Sequence, residues 1–133
     1  MSAPSVLDHR DAIVAALEAV DLTVGTGGAP DPLPATGMYA VVYMSPGRSV
    51  SESLADQRTS FDGLFQVTAV GPREEQCLWV ADKVRSALHG GVTVAGRSAW
   101  RPEEIGGPPV IRDDDVTPPV FFAPIQYMIR SLA

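Results

Sequence analysis

The chain has 133 residues, a length typical of a single domain that buries a core without disulfides or a structural metal. Its 10 Lys and Arg against 16 Asp and Glu give a net charge of -6 and a pI of 4.7, which disfavours sequence-independent binding to nucleic acid phosphates. The single cysteine excludes an internal disulfide, and neither an export leader nor a membrane-length apolar run occurs, so we expect a cytoplasmic protein with protein partners and no membrane.

The N-terminal stretch SVLDHRDAIVAALEAVDL predicts an amphipathic helix, because its apolar residues recur at near-helical spacing: Val6, Ile13, Leu17 and Val20. Ser5 or Asp8 is a suitable N-cap. Breakers fill the segment from Gly25 to Gly37, which predicts a loop.

Two contrasting segments follow that loop. The run from Met38 to Met44 is apolar and rich in β-prone residues, which predicts a strand that is covered on both faces or central in a sheet. The chain from Arg48 to Ser60 is polar and has no clear period. It predicts a long loop of the kind that often carries function.

The stretch from Phe61 to Gly91 predicts a strand, a sharp turn and a helix in direct succession. Alternation predicts a half-buried antiparallel strand whose buried face holds Phe61, Gly63, Phe65, Val67 and Ala69. Gly71 and Pro72 end the strand, and Gly90 with Gly91 ends the helix. The apolar stripe of this helix is Cys77, Ala81, Val84 and Leu88, widened by Leu78 and Ala87.

The C-terminal third predicts short strands between breaker-rich loops. Residues 92–94 and 98–101 predict a hairpin, while 103–109 and 112–119 predict loops. Alternating apolar residues from Phe121 to Ile129 predict a long closing strand, in which Pro124 favours an edge position or a bulge. We therefore predict an α+β fold, an antiparallel or mixed sheet with two helices on one face, formed by residues 1–133 as a single domain.

No residue cluster predicts a catalytic, cofactor or metal site. His9 stands beside carboxylates but has no second ligand at helical spacing, so we interpret it as a solvated residue of the first helical turns. His89 fits a helix C-terminus, and Cys77 fits core packing. Asp113 to Asp115 lack the remaining ligands of a calcium loop, which favours a solvated or partner-facing acidic loop.

The order of these pieces resembles the tail terminator, or tail completion, proteins of long-tailed bacteriophages. The segments that carry the resemblance are FQVTAVGPREEQCLWVADKVRSALHG, the acidic RDDD loop and the closing APIQYMIRSL. The resemblance implies a non-enzymatic virion subunit, assembled in the host bacterial cytoplasm, that forms a homo-hexameric ring at the head-proximal end of the tail tube. Such a ring stops polymerisation of the tail tube protein and offers a surface to the head-tail connector protein.

On this hypothesis, ring and partner contacts involve exposed sheet edges and charged side chains of two loops, namely Arg48, Glu52, Asp56, Arg58, Asp113, Asp114 and Asp115. Two alternatives stay open at the level of sequence. The first is a head-tail connector or neck protein, and the second is a cytoplasmic α+β domain that binds a small ligand between sheet and helices.

Overall fold

The computed structural model describes residues 3–51 and 59–133. Two helices, α1 and α2, and eight strands, β1 to β8, follow one another in the order α1 Val6–Glu18, β1 Val24–Thr26, β2 Tyr39–Met44, β3 Arg48–Val50, β4 Ser60–Gly71, α2 Glu74–His89, β5 Ser98–Ala99, β6 Glu103–Gly106, β7 Ile111–Asp113 and β8 Val120–Leu132. This is the predicted α+β fold, with a mixed sheet.

Two long antiparallel strands, β4 and β8, form the centre of the sheet. They pair in continuous register from Phe61 opposite Ser131 to Gly71 opposite Phe121. On one side, β4 pairs with β2 and, further along its length, with β3, and β2 in turn pairs with β1. On the other side, β8 pairs with β5, β6 and β7, one after another along its length. Among the strands of the described residues, only β1 and β2 run parallel.

Both helices pack on one face of this sheet, and the hydrophobic core lies between the helices and the sheet. The alternation predicted for β4 is confirmed, since Phe65, Val67 and Ala69 are buried toward the helices. From β8, Ile125, Tyr127 and Ile129 complete this face, and the Phe65 and Tyr127 rings stack at 5.3 Å between centroids. The space proposed for a small ligand between sheet and helices is therefore occupied by packed side chains.

Helix α1 begins as predicted at Ser5, whose side chain accepts a hydrogen bond from the Asp8 amide. Helix α2 follows β4 after a turn of two residues, with Arg73 as N-cap. The close approach needs glycine at the end of β4, because a Cβ on Gly71 would lie 2.6 Å from the Cys77 amide nitrogen. The Cys77 thiol donates to the Ala69 carbonyl at 3.4 Å, so this cysteine is a core residue, as predicted.

One predicted member of the α2 stripe is wrong. Leu78 is 45% exposed, whereas Val80, which the stripe omitted, is fully buried. Helix α2 packs on both β4 and β8. The helix face that is buried is therefore wider than a single row of i, i+4 positions.

Four segments predicted as loops contain short strands: residues 24–26, 48–50, 103–106 and 111–113. Each pairs beside a longer strand, with β2, β4, β8 and β8 respectively. Local sequence could not predict them, because their backbone hydrogen bonds are satisfied by a partner far along the chain. The predicted hairpin of residues 92–94 and 98–101 is also wrong: β5 pairs with the end of β8.

Strand β8 is not an edge strand, although Pro124 favoured that position. The strand lies between β4 and the row formed by β5, β6 and β7. Pro124 sits opposite the gap in that row, since β6 pairs up to Gln126 and β7 begins at Phe122. The register shift between Glu104 and Gly106 of β6 borders the gap, whereas β8 pairs with β4 in continuous register through Pro124, so the predicted bulge of β8 is wrong as well.

Candidate interaction surfaces

The predicted interface residues separate into two distant groups. Arg48 lies on β3 and is largely exposed, while Asp113 ends β7 and Asp114 and Asp115 follow it on the surface. Glu52, Asp56 and Arg58 lie outside the described residues. The first group borders the sheet where β4 begins and β8 ends, and the second lies where β8 begins. The structure therefore does not bring these charges together within one chain.

Arg48 borders a groove on the face of the sheet that the helices leave open. The groove has a volume of 440 Å³ and is lined by Ser45, Pro46, Gly47, Arg48, Asp62, Gly63, Leu64, Met128 and Arg130. The pairing register of β4 and β8 places the residues of the groove floor side by side, because Leu64 lies opposite Met128 and Asp62 lies opposite Arg130. The Asp62 carboxylate is shared by two guanidinium groups, at 3.7 Å from Arg48 and 3.5 Å from Arg130.

A second groove of 220 Å³ adjoins the first, since Met128 and Arg130 line both. Its other walls are Trp100, Arg101 and Glu103. The Trp100 side chain is 54% exposed. Together the two grooves, which we call the arginine groove, combine apolar surface with three guanidinium groups.

The acidic loop, residues 113–116, projects from the opposite end of β8. The Asp113 carboxylate accepts a hydrogen bond from the Asp115 amide at 3.0 Å, which shapes the turn. Asp114 pairs with the neighbouring Arg112. Val116 follows with 43% of its surface exposed, so the loop presents carboxylates next to an apolar side chain.

Exposed apolar side chains also mark the edge formed by β5, β6 and β7. Ile105 on β6 is 57% exposed and Ile111 on β7 is 47% exposed. Edge strands with such side chains are suited to pairing with another chain. On α2, Trp79 is 46% exposed, and the Lys83 ammonium lies 4.8 Å from its ring centroid.

The prediction that His9 is solvated is wrong. Its side chain is fully buried in α1, stacked on Phe61 with ring centroids 4.0 Å apart. Nδ1 donates to the Ser5 carbonyl at 2.6 Å, which leaves Nε2 to accept from the Ser131 hydroxyl at 2.6 Å. Helical spacing contained a signal for this burial, since His9 stands four residues before Ile13 on the apolar side of the helix.

Arg97 completes this buried cluster. Its Nε donates to Ser131 Oγ at 2.8 Å, and its Nη2 donates to the carbonyls of Thr59 and Ser131. Burial lowers the pKa of His9 below its ordinary value, and the positive charge of Arg97 lowers it further. Although a serine hydroxyl beside an imidazole can act as a nucleophile, Ser131 is only 1% exposed and is closed to a substrate in this arrangement. The cluster ties α1, the end of β8 and the segment before β5 together.

A second polar group lies where α2 ends beside β6. Arg85 Nε donates to the Glu104 carboxylate at 2.8 Å, and Arg101 Nη1 lies 3.3 Å from His89 Nε2 at the helix C-terminus predicted for that histidine. Burial raises the pKa of the Tyr127 phenol to about 12, helped by the Glu104 charge.

Within residues 3–51 and 59–133, no group of three or more His, Cys, Asp or Glu side chains is arranged to hold a metal ion. Neither helix in these ranges is long and apolar enough to cross a bilayer.

Comparison with known proteins gives a likeness in fold. No protein-family model matches the chain, and no curated protein sequence matches it. A chain in the solved virion of a native gene transfer agent (GTA) particle superposes with a TM-score of 0.63 at 14% identity, covering 93% of this chain and 94% of that one. The two chains share a fold.

A second solved chain, whose name states no activity or partner, superposes with a TM-score of 0.57 at 18% identity. The match covers 96% of this chain and 92% of the other. In both comparisons nearly the whole length of each chain is matched.

Proposed function

We propose that the chain is a structural subunit of a phage-like virion, specifically a tail terminator. It forms a homo-hexameric ring at the head-proximal end of the tail tube, stops polymerisation of the tube protein and provides the surface for the head-tail connector. The observation that carries this proposal is the fold shared with a chain of a gene transfer agent virion over nearly the full length of both. The segments that resemble tail terminators support the specific role.

The surface chemistry fits a passive assembly subunit. A ring of identical subunits needs two different surfaces on each subunit, because every contact in the ring joins one side of a subunit to the other side of its neighbour. The sheet has two edges, β1 with β3 on one side and the β5 to β7 row on the other. The second edge exposes Ile105 and Ile111.

Deletion of the gene from the phage or gene transfer agent that encodes it tests the role. A terminator stops tube growth, so we expect its loss to give tubes of irregular and excessive length and heads without tails, as seen by negative-stain electron microscopy. Expression of the chain in trans should restore uniform tails.

The same experiment separates the alternatives. Loss of a head-tail connector leaves tails of normal length that do not join heads, which would overturn the terminator role. Particles with normal, joined tails would exclude both virion roles. Native mass spectrometry of purified tails should detect six copies of the chain per tail.

A further inference from the structure

The arginine groove carries a local positive charge on an acidic protein. Its described lining residues include three arginines, Arg48, Arg101 and Arg130, and two acidic residues, Asp62 and Glu103. Arg48 and Arg130 both pair with Asp62. The groove therefore has an excess of positive charge, whereas the whole chain has a net charge of -6. An acidic segment is the ligand that this distribution favours.

The floor of the groove adds an apolar requirement. Leu64 is 46% exposed and lies beside Met128, with Trp100 at the far wall. A partner that fills the groove would bury its guanidinium groups, so it must supply carboxylates at the rim. It must also supply an apolar side chain for the floor, because burial of the exposed apolar surface is favourable.

The acidic loop of the same chain has this composition. It presents three carboxylates, Asp113 to Asp115, followed by the exposed Val116. However, Asp113 pairs with Val120 at the start of β8 and Arg130 lies ten residues further along that strand, a separation of about 33 Å. Because β8 is rigid and paired on both sides, the loop cannot enter the groove of its own chain.

We propose that the arginine groove of one copy receives the acidic loop of a second copy. Complementary surfaces at opposite ends of one strand join copies head to tail, and such heterologous contacts close into a ring when the rotation between copies is right. This inference rests on the proposed ring and names the surfaces that join its subunits. The carboxylates pair with the guanidinium groups of Arg48, Arg101 and Arg130, while Val116 lies against Leu64 and Met128.

Charge reversal tests the contact. A groove variant carries Arg48→Glu and Arg101→Glu, a loop variant carries Asp114→Lys and Asp115→Lys, and sedimentation equilibrium measures self-association. We expect wild-type protein to associate, more weakly as salt is raised, and each variant alone to associate about tenfold to a hundredfold more weakly. An equimolar mixture of the two variants should regain the wild-type association, because each variant's loop then meets a groove of opposite charge.

Matched controls separate a specific contact from a change in net charge. Arg10→Glu with Arg73→Glu makes the same charge change as the groove variant at a half-buried position of α1 and at the exposed N-cap of α2, and should associate like wild type. Far-UV circular dichroism and thermal melts check the fold. If the groove variant fails to fold, the loop variant decides alone, since its substitutions lie on an exposed loop.

Three results would overturn the inference: wild-type association of the loop variant, no recovery of association in a mixture of two folded variants, or a wild-type chain that stays monomeric to about millimolar concentration. None of these results changes the expected tube lengths after gene deletion. A failure of this contact is therefore distinguishable from a failure of the terminator role.

Discussion

At the scale of single residues, the polar cluster of His9, Ser131 and Arg97 is the least expected feature of the molecule. Three segments that are far apart in sequence meet there. His9 hydrogen-bonds to the Ser131 hydroxyl, whose oxygen also accepts a hydrogen bond from Arg97. Buried polar groups stabilise a fold only while their partners are in place, because an unpaired group keeps its full desolvation cost. The cluster should therefore respond to pH and to substitution.

We predict that protonation of His9 destabilises the protein. Burial lowers its pKa in the folded state below the ordinary 6.5, so above pH 6.5 the residue is neutral in both states. As pH falls below 6.5, the unfolded state binds a proton first and the free energy of unfolding decreases, by at most about 1.4 kcal/mol per pH unit, until the folded state is also protonated. Urea unfolding between pH 8 and about 4.5 measures this slope.

The variant His9→Gln should remove this component of the pH dependence and cost about 1–3 kcal/mol at neutral pH, since the amide replaces the ring imperfectly. The exposed His89→Gln is the matched control and should retain the wild-type slope. An unchanged pH profile in His9→Gln would show that other groups produce it.

At the scale of elements, the junction of β4 and α2 determines how the second helix lies on the sheet. The predicted strand-turn-helix is confirmed there, with β4 at Ser60–Gly71 and α2 at Glu74–His89. The period-two alternation of β4 and the apolar stripe of α2 are strong local patterns, which is why sequence alone identified both elements. The distance between them depends on a backbone contact that only one residue type permits.

Substitution of Gly71 by alanine tests that contact. The new Cβ would lie 2.6 Å from the Cys77 nitrogen, a backbone atom that cannot move without shifting α2. We expect a loss of about 1–3 kcal/mol in the free energy of unfolding, measured by chemical denaturation. Gly28→Ala is the control, because no atom lies within 4 Å of a Cβ at that position, and its stability should stay within about 0.5 kcal/mol of wild type.

A second glycine contact helps to explain why the C-terminal strands escaped prediction. A Cβ on Gly107 would clash with the Pro124 carbonyl oxygen, so the chain after β6 lies in close backbone contact with β8. Residues 103–109 read as a loop because they contain glycine and proline, yet β6 forms where β8 supplies hydrogen-bond partners. Their local composition is compatible with either state.

At the scale of the whole molecule, one face of the sheet is covered by helices and the other is open. The open face carries the arginine groove at one end and, further along, an amide pair in which Gln126 Nε2 donates to Gln66 Oε1 at 2.9 Å. The acidic loop lies beyond the start of β8. The arginine groove and the acidic loop thus lie toward opposite ends of the central strands, which is compatible with the proposed head-to-tail contact.

Replacement of Asp113, Asp114 and Asp115 by alanine should impair head-tail joining and subunit association while the fold stays intact. Asp114 and Asp115 are exposed, and Asp113 is half-buried with one hydrogen bond to the Asp115 amide, so we expect the free energy of unfolding to fall by about 1 kcal/mol or less. Complementation of a gene deletion, scored by infectious or DNA-transferring particles, measures joining. Alanine at Asp11, Glu18 and Glu75 removes the same charge elsewhere, and normal joining with the loop variant would count against a role for the acidic loop.

Sequence by itself determined the α+β class, both helices, the two central strands and the surface character of the acidic loop, because these depend on periodicity and local composition. Only the tertiary structure decided the four short edge strands, the interior position of β8 and the burial of His9, since each depends on a partner supplied by a distant segment. The same reason separates Arg48 from Asp113: their charges were readable in sequence, but their positions at opposite ends of β8 follow from strand register.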